Sequence, residues 1–115
     1  GLHHARAAAR RYDAVVLLKG RHSLVAHPDG RVRVTTSGTP WLATAGAGDV
    51  LAGLVGALLA TGLTPYDAAS VGSWLHGAAA TLAAGGGPLR AGDVARALPG
   101  TVRLLLDGGM EQSGP

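Results

Sequence analysis

Ala14-Val15-Val16-Leu17-Leu18 is an uninterrupted apolar run of strand length that ends on Lys19-Gly20. A strand without polar alternation is the pattern of one buried on both faces, inside a layered α/β fold. Two shorter segments of alternating polarity follow, Ser23 to His27 and Arg31 to Thr35. Pro28-Asp29-Gly30 between them is turn chemistry and predicts a hairpin. After residue 35 every periodic segment is helical. One apolar strand, a hairpin and then helices only is the closing portion of an α/β layered fold, with a small sheet and helices packed on it.

The other elements follow from local signals. Residues 3 to about 11 predict a short Ala/Arg helix, broken at Tyr12-Asp13, and residues 36–45 predict a loop. Leu51, Leu54, Val55, Leu58 and Leu59 recur at helical spacing, in a helix that opens at Gly46 to Asp49 and ends at Gly62. Gly53 and Gly56 inside it cost about 1 kcal/mol each against Ala, which makes sense if another backbone presses close there. Thr64-Pro65-Tyr66-Asp67 opens the next helix with a cap, a proline at the first turn and a carboxylate at the positive end of the dipole. It runs to about Ala84, where Gly85-Gly86-Gly87-Pro88 stops it. Asp93 to Leu98 and Thr101 to Leu106 predict two short helices, and residues 107–115 a frayed tail. Residues 1–115 read as a single, partial domain. The single methionine is Met110, so the sequence is expected to belong to a longer protein.

Composition narrows the function. Ala and Gly together supply 41 of 115 residues, aromatics 3%, and phenylalanine is absent. The core must rely on Leu, Val and small side chains. Few rings are left to stack on bases, which argues against nucleic-acid reading. The net charge is +3 and much of the excess sits in Arg6, Arg10 and Arg11, a solvated helix face. With no cysteine, disulfide scaffolds, zinc ribbons and thiol nucleophiles are excluded. No apolar run approaches the roughly 18 residues of a membrane span, and no signal-peptide core opens the sequence. The carboxylates lack the spacing of a metal cluster.

Gly46-Ala47-Gly48-Asp49 at a helix start is the first chemical candidate. Small residues let backbone amides converge with no side chain in the way, and with the helix N-terminus they form an anion hole suited to a phosphate oxygen. Asp49 either caps the helix or stands beside the phosphate to take a proton from an incoming hydroxyl. The bland alternative is a tight glycine turn with a helix-start charge. The second candidate is Lys19-Gly20-Arg21-His22-Ser23, where a buried strand ends in a cation, a glycine and a hydroxyl, a common way to hold a nucleotide at a strand's carboxyl edge. Against it stands a merely solvated lysine. His76 reads as a satisfied, half-buried helix side chain, and Trp74 as core.

Taken together, five stretches resemble one family in order and spacing. They are Val15 to Ser23, His27-Pro28-Asp29-Gly30, Ser37 to Gly53, Gly62 to Ala69, and Leu75-His76-Gly77-Ala78-Ala79. All look like the carboxyl-terminal part of the ADP/ATP-dependent NAD(P)H-hydrate dehydratases, which belong to the ribokinase-like superfamily. The resemblance runs from about residue 5 to residue 106. It implies dehydration of the S epimer of NADH or NADPH hydrate by phosphoryl transfer to the hydrate hydroxyl and loss of phosphate. ADP or ATP would be the donor, Mg2+ would be carried with the nucleotide, and no metal would be held by the protein. Lys19, Gly20, Arg21, His22 and Ser23 would bind the adenosine phosphate. Gly48 would donate its amide to the phosphate, and Asp49 would contact the hydrate hydroxyl and act as base.

The resemblance further implies a cytoplasmic homo-oligomer, with an epimerase domain fused or partnered, and no nucleic-acid or membrane partner. It also implies an earlier parallel-sheet portion that grips the nicotinamide and lies outside this sequence. The isolated 115 residues are accordingly expected to be inactive. The family usually shows Gly-Gly-Thr-Gly-Asp where this chain has Ala45-Gly46-Ala47-Gly48-Asp49, and Thr39 replaces a common asparagine. Ala47 is similar to the sugar and vitamin kinases of the superfamily. A ribokinase-like small-molecule kinase and a catalytically inactive nucleotide-binding fragment are therefore the alternative readings.

Overall fold

The computed structural model describes residues 1–20, 22–36, 46–84 and 90–100. The elements are α1 (Leu2–Tyr12), β1 (Val16–Leu18), β2 (His22–Ala26), β3 (Val32–Thr36), α2 (Ala47–Ala60) and α3 (Pro65–Ala84), followed by α4 over residues 91–100. Of the loop expected over residues 36–45, Thr36 instead closes β3, and residues 37–45, like the expected helix over 101–106, the tail over 107–115 and Arg21, lie outside the described residues.

The three strands form one antiparallel sheet in the order β1-β2-β3. Val16 pairs with Ala26 and Leu17 with Val25, and Val25 in turn pairs with Arg33. The hairpin closes as its turn residues require. Gly30 takes a φ of +100°. The Asp29 carboxylate accepts from the Arg31 amide at 2.9 Å and from Arg31 Nε at 2.7 Å, and those bonds hold it below the usual carboxylate range.

Side chains alternate across a strand, so neighbouring residues face opposite layers. Ala26, Val16 and Val32 meet Ala5 and Ala9 of α1 on one face. Val25, Leu17 and Val15 meet Tyr66 and Ala69 of α3 on the other. The sheet is thus sandwiched, but unevenly. The next rung on the α1 face is Leu18, Leu24 and Val34, paired across all three strands. It lacks such cover: Leu18 is 39% and Val34 61% exposed. The expectation of a first strand buried on both faces is therefore corrected. Val16 and Leu17 are half-buried, and β1 is an edge strand among the described residues.

α3 starts as its sequence predicts. Thr64 Oγ1 accepts from the Asp67 amide at 3.3 Å, and Asp67 also binds Arg33 Nη1 at 2.8 Å. The guanidinium holds the Asp67 carboxyl below its ordinary value. Arg33 and Arg31 lie over the Tyr66 ring, 4.2 Å and 4.8 Å from its centre, fastening α3 to the sheet.

Trp74 is not core, as expected from sequence, but 46% exposed. It sits with Val71 and Val34 on an outer surface. Gly53 and Gly56 also depart from expectation, since open space surrounds both among the described residues. The close approach between α2 and α3 falls instead at Gly72, where an added Cβ would stand 2.8 Å from Val55 Cγ2. Val55 is β-branched and stiff in a helix, so it cannot turn aside. Gly72→Ala is expected to cost about 1–3 kcal/mol as an overpacked contact, read as a lowered urea midpoint with an unchanged slope.

Candidate functional site

The two candidate segments meet. Lys19 follows β1 directly, and Gly48 lies in the first turn of α2. An added Cβ on Gly48 would stand 3.8 Å from Lys19 Nζ. The ammonium therefore stands at the opening of α2, where the first amides of a helix have no partner within it. Val50 and Asp49 donate to the Gly46 carbonyl at 3.2 Å and 3.1 Å. The amides of Ala47 and Gly48 have no backbone acceptor among the described residues. The cation thus stands beside amides that have no backbone acceptor among the described residues, an arrangement able to attract an anion.

Local structure explains the residue types. Gly46 precedes α2 with a φ of +84°, a left-handed conformation that favours glycine. An added Cβ there would also press to 3.3 Å on Ala91 Cβ. Ala47 is fully buried against Ala79, Ala80 and Val94, so its methyl belongs to the core and only its backbone serves the helix mouth. Asp49 is exposed in the first turn, next to Gly48, and its carboxylate has no ion pair among the described residues. The capping position is held by Gly46, and the Asp49 side chain makes no hydrogen bond to a helix amide among the described residues.

Strand alternation also places Lys19. Leu17, Val25 and Arg33 share the α3 face, and Lys19, Ser23 and Thr35 extend it by one rung, Ser23 pairing with Thr35. Above them, Ser73, His76 and Gly77 of α3 are three and four residues apart and share a helix face. Together with Leu51 these residues enclose a cavity of about 10 Å³, roughly the room one water needs. Gly20 and His22 flank the site in the chain but do not line this cavity. Among the described residues, no three His, Asp or Glu side chains cluster as metal ligands.

His76 is the residue the sequence reading undervalued. It is 2% exposed rather than half-buried, and its Nε2 has no hydrogen-bond partner among the described residues. Ser73, 6% exposed, has an Oγ equally without a partner among them. Burial, and after it the nearby Lys19 charge, push the His76 pKa below its ordinary value against an opposing pull from the Ala47 backbone, and this lowering favours the neutral ring. The signal for Ser73 and His76 was their spacing, two polar side chains on one face of an alanine-rich helix.

Comparison with known proteins follows this geometry. The family model described as NAD(P)H-hydrate dehydratase matches residues 1–96. The chain is 46% identical over 100 residues to a bifunctional NAD(P)H-hydrate repair enzyme of Moorella thermoacetica, covering 84% of this chain and 19% of that protein. It is 46% identical over 94 residues to an ADP-dependent (S)-NAD(P)H-hydrate dehydratase of Neisseria meningitidis, covering 82% and 32%. A crystal structure of the ADP/ATP-dependent NAD(P)H-hydrate dehydratase of Bacillus subtilis, co-crystallised with ATP/Mg2+, superposes with a TM-score of 0.82 at 30% identity. It covers 89% of this chain and 38% of that one. The chain thus spans under two fifths of the length of each of these relatives.

Proposed function

Because the chain belongs to the NAD(P)H-hydrate dehydratase family, we propose that the full-length protein carrying it restores NADH or NADPH from the S epimer of the hydrate, with ADP or ATP as phosphoryl donor. The observation that carries this reading is the meeting of Lys19 Nζ with Gly48 at the mouth of α2. It supports a place for the negative charge that phosphoryl transfer must stabilise.

In this reading the Asp49 carboxylate takes the proton of the hydrate hydroxyl as that oxygen attacks the terminal phosphorus of the nucleotide. The phosphorus–oxygen bond to the nucleotide breaks, leaving AMP from ADP or ADP from ATP. The amides of Gly48 and Ala47, with Gly46 shaping the turn, and the Lys19 ammonium hold the transferring phosphoryl. Ser23, His22, Gly20 and Arg21 complete the adenosine phosphate side. The ring carbon–oxygen bond of the phosphate ester then breaks, inorganic phosphate leaves with its electron pair, and loss of a proton from the adjacent carbon restores the dihydronicotinamide double bond. The magnesium ion arrives with the nucleotide as part of the substrate. The fit of that group rests on the side-chain-free cradle at Gly48.

The portion that grips the nicotinamide lies outside these residues, and the 115-residue chain alone is proposed to be inactive, as one part of a single ribokinase-like domain. A cytoplasmic homo-oligomer belongs to the same proposal. So does an epimerase partner or fused domain, in keeping with the word bifunctional in the name of the Moorella protein. No helix among the described residues is long and apolar enough to cross a membrane.

The test is incubation of the full-length protein with ADP, Mg2+ and chemically hydrated NADH. The near-ultraviolet absorbance of reduced nicotinamide is expected to recover while AMP and phosphate accumulate. A stable phosphorylated product from another small molecule, with no recovery, would instead establish a kinase.

A further inference from the structure

We infer that His76 is a positioning residue: through one water shared with Ser73 Oγ, its ring anchors the Lys19 ammonium beside Gly48. The inference deepens the proposed function, since it takes Lys19 as the cation of the phosphate site. Two buried polar atoms without partners among the described residues are costly, and native proteins offset that cost with ordered water where the space is polar and large enough. Here both atoms belong to side chains that line the same water-sized cavity, and Lys19 lines it too.

Nε2 has no partner among the described residues and can accept a hydrogen bond. A water in the cavity donates to Nε2 and to Ser73 Oγ and accepts from the Lys19 ammonium. The chain of bonds runs from α3 to the end of β1 and holds the side chain that supplies the positive charge beside the mouth of α2. His76 touches no nucleotide in this arrangement; it acts through Lys19.

Lys19 is the single lysine of this sequence, which makes the inference testable without any nucleotide. The full-length protein is treated with acetic anhydride and the Lys19 peptide followed by mass spectrometry. His76→Leu is expected to speed acetylation of Lys19 several-fold, and His76→Gln, whose amide oxygen can accept from the same water, to restore a rate near that of the wild type. In parallel, ADP affinity is measured in a double-mutant cycle. His76→Leu and Lys19→Met are each expected to weaken binding about tenfold, the scale of one hydrogen bond to a charged group. The double variant should bind no worse than Lys19→Met alone, because the two residues act as one unit.

An unchanged acetylation rate in His76→Leu overturns the inference, as does full additivity in the cycle. Failure of the wild type to bind ADP would remove the proposed function, while the acetylation result still decides whether His76 holds Lys19.

Discussion

Asp49→Asn in the full-length protein is expected to keep ADP binding and to lose about a hundred- to ten-thousand-fold in turnover, the span a positioned general base contributes. The substitution keeps shape and removes only basicity. It also leaves the fold alone, because Asp49 is exposed and its carboxylate makes no ion pair among the described residues. That lack of structural work sharpens the test. A carboxylate in the first turn of a helix gains a few tenths of a kcal/mol to about 1 kcal/mol from the dipole, so any larger effect must come from chemistry. Turnover of hydrated NADH and ADP affinity are measured on the same preparation. Retained turnover would remove Asp49 from the base role.

Gly48→Val is expected to weaken ADP binding by about ten- to a hundredfold, the scale of losing one hydrogen bond to a charged group. The geometry sets the size of the replacement. A lone Cβ would meet Lys19 Nζ at 3.8 Å, an ordinary contact with the far end of a flexible chain. Gly48→Ala is therefore tolerated. The two methyl groups of valine reach further, displace the ammonium and cover the amide. Gly48 is exposed at the helix start, so melting temperature should scarcely move while affinity collapses. Equal affinity in the valine variant would show that the phosphate does not approach this amide.

Much of the site was legible because its determinants are local. The Gly46 to Asp49 stretch announces a helix mouth free of side chains, and Lys19-Gly20 announces the end of a strand. That the two meet is a long-range fact, and it follows from alternation in the sheet: Lys19 shares the face of Leu17 and Ser23 that α3 covers. The helices were less readable. In α3 the residues at nearly every position are small or apolar, so periodicity offers little contrast between inner and outer faces. Trp74 was assigned inward for its size and points outward; His76 was assigned to a bland half-burial and lies deep. The glycines of α2 misled for the same reason. Gly53 and Gly56 stand where an intimate contact would be economical, yet Val55 makes that contact against Gly72. A sequence shows which helix positions permit close approach, but only the partner's placement decides which one is used.

The bare rung Leu18-Leu24-Val34 has a practical side. These three side chains line up at cross-strand spacing beside β1, an edge strand with no further strand partner among the described residues. A preparation of these residues alone should therefore cling to phenyl resin and light up hydrophobic dyes even while its hairpin and helices stay formed. Whoever handles it will meet this adhesiveness before meeting any chemistry.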